Sequence, residues 1–504
     1  MVGRSSKTPT HIPGYDWISR GGLPTGTATL VGGSPGSGKT IFSLQFLAEG
    51  IRQNDAAGIF VTFEETPDRL RSYMRGFDWD VDAFEAENKF RIIDLSPDPA
   101  EAPPTFVGTF DFGGLVTRIE AAVRATGAKL IALDSLAALN KSFADSRTVR
   151  FELFRLIEAL RRMGLTAVIT DENMGDGFPE NGSESFGVED FVIDNLVLLR
   201  NRLNQEKRRR TIEVLKYRGT DHHKGEFPFT ISGEQGVVII PLSEMELKQD
   251  SSNQRVSTGV AELDELCGGG LFDGSVTLVT GATGCGKTLM TTQFIGGGVR
   301  AGERCLLMGY EESPDQLFRN AEAWGIDFKN FRDDGRLKIQ CCYPEIQGLE
   351  DHLIEIKRTI EEFGADRVVI DSLTALERIS GRRAFREFVV ALTGFLKQRM
   401  VTALMTLTTP TLMGGGSVTE GHISSIADTI ILLRYVEALG EVRRAITVLK
   451  MRGTWHDKEI REFKIDGGGM HIGGSFRNMS GILAGQPTRR SDIDPETRIE
   501  ELMN

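Results

Sequence analysis

The sequence predicts an α/β protein with two tandem domains, each a mostly parallel sheet flanked by helices. One observation is a glycine-rich motif, G-x-x-x-x-G-K-T, that occurs at residues 33–40 and again at 281–288 of the 504-residue chain. A second is that short apolar runs alternate with helical patterns after each motif, an order typical of parallel sheets covered on both faces. The third is that these elements recur in the same order in both halves.

Each motif has the form of a loop that binds nucleoside triphosphates. Its glycines let backbone N–H groups converge on phosphate oxygens, its lysine reaches the outer phosphates, and its threonine hydroxyl binds Mg²⁺. Two such loops predict two ATP molecules per chain, each with Mg²⁺. The candidate nucleotide-binding residues are Gly36, Ser37, Gly38, Lys39 and Thr40, and Thr283, Gly284, Cys285, Gly286, Lys287 and Thr288, with Thr40 and Thr288 also metal ligands.

Length and composition fit two large domains in a cytoplasmic protein. We expect a first domain at 1–244, a polar linker at 245–257, a second domain at 258–480 and a tail at 481–504. Five cysteines without C-x-x-C spacing favour neither a disulfide framework nor a zinc site. The start does not resemble a signal peptide, and no run of about 18 apolar residues predicts a membrane span. The net charge of −12 argues against a nucleic-acid partner. A ring-shaped assembly with a basic channel inside an acidic exterior would still be compatible with one.

The repeat extends well beyond the motifs. A short apolar strand precedes each motif, at 27–31 and 275–279, and a helical pattern follows it. A buried-strand run then ends in two glutamates, and a third strand ends in an aspartate. Further strands are predicted at 166–170 and 402–406, at 196–199 and 430–433, and at 213–216 and 447–450.

Aspartates at strand ends predict metal binding, because ligands of open α/β sheets bind beyond the carboxyl ends of the strands. Asp134 and Asp371 each follow a short apolar strand and resemble Walker B aspartates, which hold Mg²⁺ directly or through water. The alternative is an aspartate that caps the next helix. The upstream phosphate loop favours the metal site.

Glutamate pairs predict the catalytic bases. Glu64-Glu65 and Glu311-Glu312 occupy the place where RecA-like ATPases keep a carboxylate that orients the attacking nucleophile. They begin 31 and 30 residues after the first glycine of their motifs. The alternative is a helix start favoured by the helix dipole. The matched positions favour catalysis.

Basic residues alternate at the end of a late strand in each half. Lys216 with Arg218, and Lys450 with Arg452, share one face of their strands. In ring ATPases such residues reach the γ-phosphate of ATP bound by the neighbouring subunit. An exposed basic strand face is the alternative. The first interpretation requires an oligomer.

At this point the sequence resembles the KaiC family of circadian-clock ATPases, as a divergent or non-cyanobacterial member. The resemblance covers nearly the whole chain and implies a double-ringed homohexamer with ATP between subunits. It implies ATP hydrolysis in the first ring, and in the second a serine/threonine autokinase that also removes the phosphate. The matching strings are VTFEETP (61–67), RFELFRL (150–156), LKYRGT (215–220), GHISSIADTIILL (421–433), LKMRGTWHDK (449–458), IREF (460–463) and SFRN (475–478).

Carried onto this sequence, the resemblance makes Ser424 and Ser425 the phosphorylated pair, with Ser425 in place of a threonine of the cyanobacterial members. Thr419 matches a transient acceptor. Glu311 becomes the general base and a Mg²⁺ ligand, with Glu312 supporting it. Further residues implied by the resemblance are Trp324, His222 and Lys224 at the nucleotides, and Arg386 near the phosphorylated serines.

The two halves differ where the acceptors lie. Aligned without gaps through the strands that follow, Ser424 and Ser425 fall opposite Asp190 and Phe191. The first half therefore has no hydroxyl at this place, so the same site chemistry predicts hydrolysis there and phosphorylation in the second half. The alternative for the serines is a helix N-cap before Ile426.

The resemblance also sets the expected partners. We expect KaiB on the first ring and an output through a histidine kinase. The segment after 478 is shorter than the cyanobacterial tail, so we do not expect dependence on KaiA. Two other functions stay open at this point, a RecA-like DNA-acting motor and a signalling ATPase outside any clock.

Overall fold

Each half of the chain folds around a nine-stranded sheet in the structure, a computed structural model. The chain divides into two units, Met1–Glu244 and Met245–Asn504. The finer boundaries at 257 and 480 stay predictions. The structure describes residues 6–96, 112–136, 146–172, 193–204, 207–240, 252–409, 425–438, 440–476, 479–480, 482 and 488–489.

The first unit alternates strands and helices along the chain. Its strands are β1 (Lys7–Thr8), β2 (Leu23–Pro24), β3 (Ala28–Gly33), β4 (Gly58–Thr62), β5 (Phe90–Asp94), β6 (Leu130–Asp134), β7 (Thr166–Asp171), β8 (Asn195–Asn204), β9 (Lys207–Tyr217), β10 (Glu226–Ser232) and β11 (Gly236–Ile239). Its helices are Tyr15–Ile18, Lys39–Asn54, Pro67–Gly76, Val81–Ala86, Phe112–Thr126 and Ser146–Arg162.

Six of the nine strands in the first large sheet run parallel. The order is β11-β10-β9-β8-β3-β7-β6-β4-β5. Every pairing from β8 to β5 is parallel, and the other three are antiparallel. Strands β3, β4, β6 and β7 are buried at every residue, which explains their continuous apolar runs. The predicted fold class is confirmed.

Alternate side chains of these strands fill two apolar layers. Val31 packs on one side of the sheet with helix Lys39–Asn54. Leu30 packs on the other side with helices Phe112–Thr126 and Ser146–Arg162. Neighbouring residues of a strand point to opposite faces, so both faces need a helical cover. This double cover fixes the strand ends from which the functional side chains project.

The second unit repeats the order of the first. Its strands are β12 (Arg255–Val256), β13 (Leu271–Phe272), β14 (Val276–Gly281), β15 (Cys305–Gly309), β16 (Leu337–Cys341), β17 (Arg367–Asp371), β18 (Thr402–Thr408), β19 (Thr429–Ala438), β20 (Glu441–Met451), β21 (Arg461–Asp466), β22 (Gly469–Ser475), β23 (Met479–Ser480) and β24 (Thr488–Arg489). Its helices are Ala261–Leu266, Lys287–Arg300, Pro314–Ala323, Phe328–Asp333, Leu349–Phe363, Leu373–Arg378 and Arg382–Gln398, with a 3₁₀ turn at Pro344–Ile346.

The second sheet matches the first strand for strand. Its order is β16-β15-β17-β18-β14-β19-β20-β21-β22. The hairpin of β19 and β20 has a register irregularity at Ile430/Ile431, and the hairpin of β8 and β9 has one at Leu196/Val197. The sequence repeat is therefore a repeat of the whole topology.

The late strands are longer than the sequence predicts. Strand β8 continues five residues beyond the predicted 196–199 and pairs with β9 up to Asn204, opposite Lys207. Apolar periodicity stops after Leu199, because the outer half of the hairpin carries arginines and asparagines. Backbone hydrogen bonds of the ladder need no apolar side chains, so the hairpin continues where the pattern ends.

Candidate nucleotide-binding sites

The glycine-rich loop of the first unit joins the carboxyl end of β3 to helix Lys39–Asn54. Gly38 precedes this helix in a left-handed conformation with φ of 102°. A Cβ on Gly38 would lie 2.8 Å from Ile231 Cδ1, so a larger residue would displace that side chain. In the second unit Gly286 has φ of 109°. Both helix starts can therefore present their backbone N–H groups to an anion.

Each glycine-rich loop has exposed residues at its tip and one buried side chain that points into the protein. Gly36 and Gly284 have φ of 74° and 77° and are exposed, as is Thr283. Ser37 and Cys285 are fully buried, and burial raises the pKa of the Cys285 thiol. The two inward side chains pack beneath their loops, and the backbone N–H groups of Ser37 and Cys285 donate to the carbonyls of Ser34 at 3.1 Å and Ala282 at 3.4 Å.

Each loop lysine is held by carbonyl groups of its own loop. Lys39 Nζ donates to the carbonyl oxygens of Gly33 at 2.8 Å and Ser34 at 3.1 Å. Lys287 Nζ makes the two matching bonds, both at 2.9 Å. The Glu172 carboxylate lies 3.8 Å from Lys39 Nζ. Burial lowers the pKa of Lys39, and the nearby carboxylates, Glu172 foremost, oppose that shift.

A threonine and an aspartate meet beside each loop. Thr40 Oγ1 donates to Asp134 Oδ2 at 2.7 Å, and Thr288 Oγ1 donates to Asp371 Oδ2 at 3.0 Å. The threonines open the loop helices, and the aspartates end β6 and β17. The predicted pairs therefore lie together in both units.

A second threonine holds the other oxygen of each aspartate. Thr170 Oγ1, on β7, donates to Asp134 Oδ1, and Thr406 Oγ1, on β18, donates to Asp371 Oδ1 at 2.5 Å. Burial raises the pKa of both aspartates, and the threonine hydrogen bonds oppose it. Each carboxylate is thus oriented, and a cation beside it would favour its charged form.

These oxygens fit Mg²⁺, which prefers carboxylate and hydroxyl ligands. Among the residues that the structure describes, no group of three or more His, Cys, Asp and Glu side chains could hold a metal ion. Mg²⁺ does not require such a cage, because phosphate and water oxygens complete its coordination. The hydrogen-bonded hydroxyl and carboxylate therefore suit a metal that arrives with a nucleotide.

The first glutamate pair follows β4, next to β6 in the sheet. The backbone N–H of Phe63 donates to the carbonyl of Asp134 at 3.0 Å and joins the two strand ends. Ser135 Oγ donates to Glu64 Oε1 at 3.5 Å. Glu65 accepts from Tyr73 Oη at 3.4 Å and lies 3.1 Å from the Arg69 guanidinium. Glu64 is exposed and Glu65 half-buried.

The second glutamate pair contacts a serine, an arginine and an asparagine. Glu311 Oε1 accepts from Ser372 Oγ at 3.1 Å and from Arg378 Nη2 at 2.9 Å. Glu312 Oε2 accepts from Asn320 Nδ2 at 3.0 Å. Burial, and then the charge of Asp371, raise the pKa of Glu312. Glu311 is therefore the exposed, oriented carboxylate of the pair, and Glu312 the partly desolvated one.

The basic residues of the first unit lie at the opposite end of the sheet from the loop. Lys216 Nζ donates to the carbonyl of Ile193 at 2.7 Å, and Arg218 Nη1 lies 3.8 Å from Asp194 Oδ1. Both acceptors precede β8, whose first residue pairs with the start of β3. Strand β3 has six residues, which span about 20 Å. Neither side chain can reach the loop of its own unit across that distance.

The second unit repeats this arrangement. Lys450 Nζ donates to the carbonyl of Ala427 at 2.7 Å, and burial lowers the pKa of Lys450. Arg452 Nη2 donates to the carbonyl of Ser425 at 2.6 Å. Ser425 itself is exposed. The described residues after Ser425 lead directly into β19 at Thr429, so Ser425 does not cap an α-helix.

Other predicted site residues occupy varied positions. His222 follows β9, half-buried, with its ring centroid 5.7 Å from that of Tyr217, and burial lowers its pKa. Lys224 is exposed. Trp324 follows helix Pro314–Ala323 and packs, half-buried, against the core of the second unit. Arg386 is exposed on helix Arg382–Gln398. Ser424 and Thr419 lie outside the described residues.

Several contacts at these sites were not predicted from the sequence. They are the second threonines Thr170 and Thr406, the serines and cation that hold the glutamates, and the aspartates beside the basic residues. The sequence contained one signal for the two threonines, since Thr170 and Thr406 are the last residues of the repeated strands predicted at 166–170 and 402–406. Their role depends on which strand lies beside which, and that order is not local in the sequence.

Two nucleotide loops, two hydrogen-bonded Thr–Asp pairs and glutamates on the adjoining strands define a tandem RecA-like P-loop ATPase. The comparison with known families agrees, since the family model "ATPase: KaiC" matches residues 8–244 and 256–475. The chain belongs to the KaiC ATPase family, and the resemblance noted from the sequence is confirmed. This match favours an ATPase of the KaiC type over a DNA-acting motor.

Curated relatives resemble the chain over nearly its whole length. It is 56% identical to the circadian clock protein KaiC3 of Synechocystis sp., over 97% of this chain and 96% of the relative. It is 49% identical to the circadian clock oscillator protein KaiC of Synechococcus elongatus, over 99% and 95%. The KaiC of Picosynechococcus sp. is also 49% identical, over the same shares. Within the described residues, no helix is long and apolar enough to cross a membrane.

Proposed function

We propose that this chain is a KaiC-type clock ATPase and serine autokinase. It hydrolyses Mg-ATP in the first unit, and in the second it phosphorylates Ser424 and Ser425 and later removes the phosphate. One observation carries this proposal: both units assemble the same lysine, threonine, aspartate and glutamate side chains, whereas acceptor hydroxyls align only with the second unit.

Nucleotide binding uses the loop atoms described above. When ATP enters, Lys39 and Lys287 exchange their bonds to loop carbonyls for bonds to β- and γ-phosphate oxygens. The backbone N–H groups at the helix starts bind the same phosphates. Mg²⁺ held by the Thr–Asp pairs, and by Glu311 in the second unit, would neutralise phosphate charge. His222, Lys224 and Trp324 are candidates for further contacts with the nucleotides.

Phosphoryl transfer in the second unit needs a base and an acceptor. The serine oxygen forms a bond to the γ-phosphorus while the bond from that phosphorus to the β,γ-bridging oxygen breaks, and ADP leaves with the electron pair. Glu311 takes the hydroxyl proton. Ser372 and Arg378 fix the carboxylate of Glu311, which keeps the base oriented during transfer.

Hydrolysis in the first unit follows the same geometry with water as the acceptor. Glu64, assisted by Glu65, orients the water and takes its proton, and the products are ADP and phosphate.

Assembly of several chains would supply the positive charges that stabilise the γ-phosphate of ATP. The basic pairs Lys216 with Arg218, and Lys450 with Arg452, lie about one strand length from the loops of their own units, and we infer that they serve the nucleotide of a neighbouring chain. We therefore propose a homohexamer with ATP between subunits, in which these cations stabilise the charge that develops on the γ-phosphate.

The biological role follows from the relatives, which are named circadian clock proteins. We propose that the chain is the core component of a clock or timer in the cytoplasm. KaiB is the proposed partner of the first ring, and a histidine kinase is a candidate for output.

Phosphosite mapping of the purified protein after incubation with Mg-ATP tests this function. We expect phosphate on Ser424 or Ser425, and its loss in a Ser424→Ala/Ser425→Ala variant that still hydrolyses ATP. ATP turnover without any modified serine would remove the autokinase and leave a two-ring ATPase.

A further inference from the structure

One carboxylate in the second unit touches three elements. Asp428 precedes β19, and its Oδ2 accepts from the backbone N–H of Val276 at 3.0 Å. Its Oδ1 accepts from Lys397 Nζ at 2.7 Å, at the end of helix Arg382–Gln398. The same oxygen lies 3.9 Å from Arg452 Nη1. Asp428 therefore links a helix end, the first strand of the sheet core and a cation proposed to act on the neighbouring ATP.

Hydrogen bonds join Arg452 to the segment that contains the candidate acceptor serines. The N–H of Arg452 donates to the carbonyl of Asp428 at 3.0 Å, and its Nη2 donates to the carbonyl of Ser425 at 2.6 Å. Lys450 Nζ donates to the carbonyl of Ala427. Both proposed trans-acting cations thus rest on residues 425–428, directly after the first acceptor serine.

The three charged side chains of this cluster, Lys397, Asp428 and Arg452, differ in how exposed they are to solvent. The side chains of Lys397 and Asp428 are 18% and 19% exposed, whereas Arg452 is 53% exposed. The inner pair is screened little by salt, because most of its surface is out of water. The arginine can change partners, since its head group is in contact with solvent. A fixed anion beside a mobile cation restrains the direction in which that cation points.

The first unit has the same cluster. Asp194 precedes β8 and lies 2.5 Å from Arg161 Nη2, near the end of helix Ser146–Arg162, and 3.8 Å from Arg218. Lys216 rests on the carbonyl of Ile193. The first unit has no serine at the position of the acceptor, and Asp194 still lies beside the basic residues. The aspartate therefore accompanies the basic residues whether or not an acceptor is present. That recurrence argues for a role in nucleotide chemistry common to both units.

We propose that Asp428 is a positioning residue for phosphoryl transfer. It holds Arg452 at the subunit surface, and it acts on the acceptor segment only through the arginine, which is hydrogen-bonded to the carbonyl of Ser425. Asp194 positions Arg218 in the same way for ATP hydrolysis. This inference rests on the proposed function, in which these arginines act on the ATP of a neighbouring subunit.

A double-mutant cycle tests the proposal. Asp428→Asn, Arg452→Ala and the double variant are compared in single-turnover labelling by γ-phosphate at saturating Mg-ATP, beside ATP affinity. We expect Asp428→Asn to slow labelling about 10- to 100-fold, the range for a misplaced catalytic group, with ATP affinity unchanged. In the Arg452→Ala background the same change should have little further effect, because residues that act as a unit are not additive.

Two results would overturn the inference. Unchanged labelling in Asp428→Asn would remove any positioning role. Full additivity with Arg452→Ala would show that Asp428 stabilises the fold and does not act through the arginine. Hexamer mass and circular dichroism of each variant accompany the rates, so that misfolded protein is recognised.

The matched cycle in the first unit separates this inference from the proposed function. Asp194→Asn with Arg218→Ala is followed by ATP hydrolysis, and Asp194→Asn should slow hydrolysis only when Arg218 is present. If the wild-type protein labels no serine, the autokinase proposal fails while this cycle still decides the role of the aspartate. Additive effects on hydrolysis would contradict the inference in both units.

Discussion

The aspartates at the ends of β6 and β17 show how single residues are adapted to these sites. Burial alone would keep Asp134 and Asp371 protonated to a higher pH than usual, because desolvation penalises the charged carboxylate. Two threonine hydroxyls donate to each carboxylate and oppose that penalty. One threonine comes from the phosphate loop and the other from the neighbouring strand, so the proposed metal site would depend on both.

Removing the second threonine should weaken metal binding. We expect Thr406→Val, which keeps the shape of the buried side chain, to raise the Mg²⁺ concentration for half-maximal serine labelling about tenfold, typical for loss of an outer hydrogen bond to a metal ligand. A Mg²⁺ titration of labelling measures this. Thr170→Val is the matched control. It should shift the Mg²⁺ dependence of ATP hydrolysis and leave the Mg²⁺ dependence of serine labelling unchanged. Equal shifts in both activities would contradict separate metal sites.

The cysteines give a residue-scale prediction about pH. Burial raises the pKa of Cys341 to about 11, and the pKa values of the fully buried Cys267 and Cys305 to about 12. The thiolate is the reactive form, so its fraction at Cys341 should rise about tenfold per pH unit from pH ~8 to ~10. Alkylation followed by peptide mass spectrometry should show that slope at Cys341, and no reaction at Cys267 and Cys305 in native protein. A plateau near pH ~9 would indicate an ordinary thiol.

At the scale of elements, the helices after the two glutamate pairs are capped differently. Helix Pro314–Ala323 begins with a capping box, in which Ser313 accepts from Gln316 N and the Gln316 side chain accepts from Ser313 N. Helix Pro67–Gly76 begins after Thr66, whose side chain makes no capping bond. The capped helix carries Asn320, which holds Glu312. The cap therefore stabilises a helix whose Asn320, about two helical turns further along, holds the candidate catalytic residue Glu312.

Ser313→Ala should loosen this helix. Loss of an N-cap costs about 1 kcal/mol, so amides of Pro314–Ala323 should exchange with solvent about fivefold faster if they open locally. Hydrogen exchange read by mass spectrometry measures the change. Thr66→Ala is the matched substitution, and its helix should exchange at the wild-type rate. The same acceleration in both helices would show that the capping bond contributes nothing.

The whole molecule combines two units of one topology. Their sheets have the same strand order, and their loops and candidate metal and base residues correspond one to one. The candidate acceptor serines have no counterpart in the first half. We propose that this difference in acceptors separates the roles of the two units.

Separate roles predict that the activities can be uncoupled. We expect Glu64→Gln with Glu65→Gln to lower bulk ATP hydrolysis at least tenfold, because a positioned base contributes about 100-fold or more to such steps. Labelling of Ser424 and Ser425 should remain, since Glu311 is untouched. Phosphate release and serine labelling are measured on the same sample. Equal loss of both activities would count against distinct roles for the units.

Local patterns carried most of the functional prediction. The two loops, the strand-end aspartates and the glutamate pairs were all recognised, because each lies within a few residues of an apolar strand with a clear boundary. The repeat then fixed the fold class, since two halves with the same order of elements require the same sheet. Strand lengths were less accurate where polar residues continue a ladder, as in the outer half of β8 and β9.

The sequence by itself determined that this chain is a tandem P-loop ATPase, and it predicted the chemical groups of both sites and candidate acceptor serines in the second half alone. Only the tertiary structure decided which threonines hold the candidate metal-binding aspartates, and that the basic strand ends lie away from the loops of their own units. It also placed Asp194 and Asp428 beside those cations. The physical reason is that these contacts join strands and helices distant in sequence, and their neighbours are set by the order of strands in the sheet.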